Sequence, residues 1–155
     1  MVRQYIFDEL AIPGVCQIGP FCSGDDRGSS SKDYSRKDFR DRGVLFDPVE
    51  VLTIESRKNV LRGIHFQRKT GQGKLVRCIR GEVWAVVVDM RADSEFFGKW
   101  ISADISRGME ILVPRGCAFG TYALEDSTLL CMCDDVVVAE YATGIRWDDP
   151  TLDIK

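Results

Sequence analysis

From about residue 50 onward, short apolar runs alternate with turn-forming residues, and the spacing is that of strands rather than helices. Candidate strands fall at residues 49–54, 74–80, 83–89, 99–103, 110–113, 119–124, 128–133 and 136–140. The separators carry Gly71, Gly73, Gly81, Gly98, Gly108, Pro114 and Gly116, as strands joined by tight connections require. The unbroken apolar run at 84–88 needs cover on both faces, which a jelly roll of two packed sheets or a dimer provides. Residues 59–67 also alternate in strand fashion. One short helix is expected near Ser35, which can cap it, with Asp38 at the third helical position and Gly43 at its end. The polar, glycine-containing residues 23–31 read as a surface loop outside the barrel, and residues 147–150 as a turn.

A chain of 155 residues fits one compact domain with a real core. No apolar run approaches the roughly 20 residues that cross a bilayer, so no membrane partner is expected. The first eight residues lack an apolar signal core, which predicts a cytoplasmic protein. Cys16, Cys22, Cys78, Cys117, Cys131 and Cys133 lie mostly in apolar stretches and are expected as free thiols. Cys131 and Cys133 have one residue between them and no second metal-spaced pair follows, so no metal site is expected. A net charge of −3 argues against nonspecific nucleic-acid binding. Residues 57–80 nevertheless carry Arg57, Lys58, Arg62, Arg68, Lys69, Lys74, Arg77 and Arg80 without an acid. That run is either an anion-binding segment or a solvated basic face.

The single histidine, His65, lies inside this basic segment. Strict alternation turns Arg62 and His65 to opposite faces of their strand, unless Gly63 permits a bulge that brings both toward one cavity. Spacing alone leaves the two arrangements open. Metal-dependent oxygenase chemistry needs two or three histidines with a carboxylate, which one histidine cannot supply.

Several motifs, in order, resemble the dTDP-4-dehydrorhamnose 3,5-epimerase family. They are the runs at 60–67 (VLRGIHFQ), 72–77 (QGKLVR), 80–84 (RGEVW), 88–91 (VDMR), 97–100 (FGKW), 114–118 (PRGCA) and 144–150 (GIRWDDP). The resemblance implies an all-β, cupin-type jelly roll working as a homodimer on a small-molecule nucleotide sugar, without a cofactor. It divides the chain into an N-terminal loop and dimer-arm region (1–48), a jelly-roll core (49–141) and a C-terminal tail (142–155).

By the same resemblance His65 is the base, Lys74 stabilises the enolate, and Arg62 and Arg27 contact substrate and phosphate. Cys131 stands where the family carries its proton-donating tyrosine, and Phe119 where a histidine lines the substrate site. Val137 replaces a tyrosine that stacks on thymine, and Glu50-Val51-Leu52 a glutamine-aspartate-asparagine cluster. The implied activity is epimerisation of an NDP-4-keto-6-deoxyhexose, at C3 or C5 rather than both. The alternatives are a non-catalytic nucleotide-sugar-binding protein or partner subunit, and a 3,4-ketoisomerase.

Overall fold

The computed structural model describes residues 2–154. Five short strands, β1 (Val2–Arg3), β2 (Ile6–Glu9), β3 (Cys16–Gly19), β4 (Phe21–Asp25) and β5 (Gly28–Lys32), precede the helix α1 (Arg36–Arg40). The strands that follow are β6 (Glu50–Ser56), β7 (Leu61–Gln67), β8 (Lys74–Arg80), β9 (Glu82–Asp89), β10 (Trp100–Ser106), β11 (Glu110–Val113), β12 (Cys117–Ala123), β13 (Ser127–Cys133) and β14 (Ala142–Gly144). They build a five-stranded sheet in the order β10-β9-β12-β7-β14 and a six-stranded sheet in the order β2-β3-β11-β8-β13-β6.

The alternation of side chains along each strand fixes how these sheets meet. Val83, Ala85 and Val87 of β9 face Val76 and Cys78 of β8 and Leu129, Cys131 and Cys133 of β13, closing a dry interior between the sheets. Residues of opposite parity on the six-stranded sheet, Leu75, Leu112 and Met132, pack beneath Phe39 and Phe46 on its outer face. On the outer face of the other sheet, Ile64, Val86 and Val88 pack with Trp84, Trp100 and the C-terminal residues Leu152 and Ile154. This is the jelly-roll sandwich with one short helix that the pattern predicts.

Helix α1 follows the expected signals. Ser35 Oγ accepts from the backbone N–H of Asp38 at 3.3 Å, and Gly43, at φ +76°, reverses the chain so that Val44 N–H reaches Phe39 O.

Three expectations need correction. Residues 23–31 are not a loop but most of the β4–β5 hairpin, which joins β1 in a small sheet outside the sandwich. Residues 136–140 form no strand, because their backbone groups are taken by a side chain. Gln67 Nε2 donates to Val136 O, and Val138 N–H donates to Gln67 Oε1 at 2.7 Å. The sandwich also reaches beyond residues 49–141, since β2 and β3 extend one sheet and β14 the other. Those three strands are only three or four residues long, too short to show a period.

Candidate active site

The placement of the site turns on a bulge in β7. Phe119 of β12 stands opposite His65 while Thr121 stands opposite Arg62, so two steps along β12 match three along β7. Residues directly opposite in an antiparallel pair share a face. Phe119 also stands opposite Val87, and both pack into the interior. The extra residue therefore turns Arg62 and His65 to the same, inward face, which regular alternation forbids.

Gly63 makes this geometry possible. Its φ of +121° is a conformation side chains disfavour, and a Cβ there would lie 2.5 Å from Gly120 Cα.

Lys74 reaches the same space from the opposite sheet, because β8 places it opposite Val113 and Cys133, both interior residues. His65 and Lys74 line one cavity of about 550 Å³, with Gln67, Gln72, Val137 and Thr143 among its other walls. His65 is solvent-accessible, and its ring lies beside Gly144, where a Cβ would come within 3.1 Å of the imidazole carbon Cδ2. Among the described residues the Lys74 ammonium makes one long hydrogen bond, to Gln72 O at 3.5 Å. It keeps donors free for an oxygen of a bound molecule.

Cys131 lies on β13, in the sheet facing His65, 5% exposed and 3.7 Å from Cys133 between sulfurs. The contact with Cys133 and burial both push the Cys131 thiol up, so it stays protonated at neutral pH. Phe119 is half-buried opposite His65 and packs against the interior core.

Two arginines are placed differently. Arg62 shares the inward face but lies outside the wall of the His65–Lys74 cavity. Its Nε donates to Ser56 Oγ at 2.8 Å and Nη2 to Glu55 O at 2.9 Å, spanning to β6 of the other sheet. Arg27 sits at the tip of the β4–β5 hairpin, its side chain 90% exposed and paired with Asp25. The basic run is dispersed rather than presented as one patch, because alternation sends Lys74 inward and Arg77 outward to pair with Asp33.

Sequence reasoning assigned no role to Gln67, Gln72 and Glu50. Gln67 and Gln72, both buried, anchor the 135–138 segment over the cavity, Gln72 Nε2 donating to Asp135 O at 2.6 Å. Glu50, opposite Cys133, accepts from Val137 N–H at 3.3 Å. Parity was the available signal, since Gln67 is two residues from His65 and Gln72 two from Lys74.

A larger cavity of about 810 Å³ lies on the outer face of the six-stranded sheet, near Phe7, Arg42, Leu112 and Arg115. Arg115 there is bonded to Asp134 and Asp135, and no histidine or lysine reaches it.

The model of one family, dTDP-4-dehydrorhamnose 3,5-epimerase, matches residues 9–155. The chain belongs to that family. It is thereby a nucleotide-sugar epimerase by descent, and relatives align over most of its length. A dTDP-4-dehydrorhamnose 3,5-epimerase of Methanothermobacter thermautotrophicus is 36% identical over 99% of this chain and 84% of its own. That of Salmonella typhimurium is 36% identical over 95% and 83%.

Solved members of the epimerase family superpose closely. The Legionella pneumophila dTDP-6-deoxy-D-glucose-3,5-epimerase, in complex with dTDP-4-keto-L-rhamnose, matches with a TM-score of 0.92 and 32% identity over 97% of this chain and 82% of its own. A 3'-monoepimerase from Streptomyces bikiniensis, in complex with dTDP-quinovose, matches with a TM-score of 0.86 and 30% identity over 94% and 76%.

Proposed function

We propose that the protein epimerises a 4-keto-6-deoxyhexose carried on dTDP or another nucleoside diphosphate, at one carbon next to the ketone, C3 or C5. The observation that carries this reading is the convergence of His65 and Lys74, from opposite sheets, on one cavity. A C4 ketone acidifies the protons on its neighbouring carbons, and imidazole is a base suited to neutral pH. His65 removes one such proton. Negative charge then gathers on the ketone oxygen, where the Lys74 ammonium stabilises it.

Inversion requires a proton from the opposite side of the sugar. Cys131, on the sheet facing His65 and held protonated, is the donor in this reading. A thiol is shorter than a phenol, which favours delivery to one carbon rather than two. Phe119 presents an apolar surface beside the base. Arg62 and, from the hairpin, Arg27 supply guanidinium groups suited to phosphate oxygens.

A homodimer fits the outer face of the five-stranded sheet. An apolar cavity of about 600 Å³ there is lined by Ile64, Trp84, Val86, Tyr122, Trp147 and Ile154, with Trp147 56% exposed.

The test is solvent deuterium incorporation into a dTDP-4-keto-6-deoxyhexose, read by NMR at C3 and C5. Deuterium at one carbon, abolished by His65→Asn, is the expected result. No incorporation with dTDP-, UDP-, GDP- or CDP-linked sugars would remove the catalytic reading.

A further inference from the structure

We propose that Cys131 and Cys133 form a reversible dithiol–disulfide switch in the interior wall beside Lys74, closed by hydroperoxides and reopened by thiol reductants. The consequence for turnover rests on the proposed function above; the disulfide itself does not.

Residues two apart on a strand project from the same face, and both sulfurs enter the interior, 3.7 Å apart. The backbone allows closure only near its limit. Two steps of strand separate the Cα atoms by about 6.7 Å, against about 6.8 Å at the upper end of the range disulfides span. A bond formed there strains β13, and strained disulfides are the readily reduced ones, as a switch requires.

The two thiols are not equivalent. Cys133 stands opposite Lys74 on β8 and opposite Glu50 on β6. Its hydrogen bond with Cys131 pulls it down, burial opposes this, and the Lys74 ammonium assists. Cys133 is therefore the sulfur that ionises first and attacks. Its thiolate displaces the far oxygen of hydrogen peroxide, which leaves as hydroxide and takes up a proton to become water, and Cys133 becomes a sulfenic acid. The Cys131 thiol, losing its proton, attacks that sulfur and expels the hydroxyl as a second water. In balance, two thiols and one hydrogen peroxide give one disulfide and two waters, the peroxide accepting both electrons. Closure consumes the Cys131 proton and draws β13 inward between Lys74 and Glu50.

The experiment treats the purified full-length chain with hydrogen peroxide, alkylates it under denaturing conditions and digests it with trypsin. The peptide 116–146 contains Cys117, Cys131 and Cys133 and no internal Lys or Arg. Three alkylated cysteines are expected in reduced protein and only Cys117 after peroxide, with full recovery on dithiothreitol. Formation of the inverted epimer should fall at least about tenfold on oxidation, in keeping with loss of the proton donor, and return on reduction, while exchange through His65 persists. Cys133→Ser should retain the exchange rate within about twofold and resist peroxide, as expected of a residue that touches no substrate.

Retention of three alkylated cysteines after peroxide, or a sulfenic acid that never resolves to the disulfide, overturns the switch. So does a disulfide that leaves epimer formation unchanged. Absence of exchange in fully reduced protein would instead remove the catalytic reading, while the alkylation count still decides whether the disulfide forms.

Discussion

Glu110→Gln tests the energetics of the sheet that carries Lys74. Glu110 lies on the outer face of β11, fully buried, and neither of its carboxyl oxygens has a hydrogen-bond partner among the described residues. Arg77 stands opposite it on β8 but is paired with Asp33, and the nearby Tyr5 hydroxyl is buried and unbonded. Burial pushes the Glu110 carboxyl up from 4.5 to about 8, against the pull of Arg77. The folded protein therefore holds a proton that the unfolded chain releases. The stabilisation is complete below about pH 4.5 and is lost as pH rises toward about 8. At about 1.4 kcal/mol per pH unit the full loss is about 5 kcal/mol, and about 3 kcal/mol is expected once local relaxation solvates the carboxylate. Urea denaturation across this range should give a falling midpoint at constant m-value. Glu110→Gln, which keeps the shape and cannot ionise, should flatten that dependence and exceed the wild type in stability above about pH 8. An equal slope in wild type and variant would refute the reasoning, and so would a destabilisation by Glu110→Gln that does not change with pH.

Other consequences are more local. Gly63→Ala would set a Cβ against Gly120 and a strained φ at once, and should cost about 3 kcal/mol in chemical denaturation while abolishing exchange. Burial pushes the Asp89 carboxyl up, but hydrogen bonds from Arg91 and Ser94 overcome this and hold it at about 2. Asp89→Asn should therefore cost about 2 kcal/mol at neutral pH, and the difference should shrink as acid titrates the wild type from about pH 4 down to about pH 2. Gln67→Ala frees the backbone of Val136 and Val138, and should raise KM several-fold with a smaller effect on kcat, read by steady-state kinetics. Trp147→Asp should lower the dimer fraction in light scattering, because it places a charge on the apolar outer face.

The interior strands were legible from their apolar runs and, for β8 and β11, from the glycine or proline that bounds them. Strands β8 and β11 fall at the residues the pattern predicts, 74–80 and 110–113. What escaped was set by partners distant in sequence. Residues 136–140 are as rich in valine as any strand, yet Gln67, some 70 residues earlier, takes their backbone hydrogen bonds and holds them as a cavity wall. The β4–β5 hairpin has serine and glycine where strands usually carry branched apolar residues, since it buries no face of its own.

The site lay between these cases. Its residue types were readable, but whether Arg62 and His65 share a face depended on Gly63. A glycine in a strand signals either a bulge or a close backbone approach, and at Gly63 both hold, the bulge against β12 and the contact with Gly120. One inserted residue thus decides whether the imidazole meets the ammonium from the opposite sheet or turns out to the apolar face beside Trp84. Without the bulge, the inward position opposite Phe119 could hold His65 only if Arg62 pointed away. With it, the proposed base and the Arg62 guanidinium lie on one face of a single strand, three residues apart.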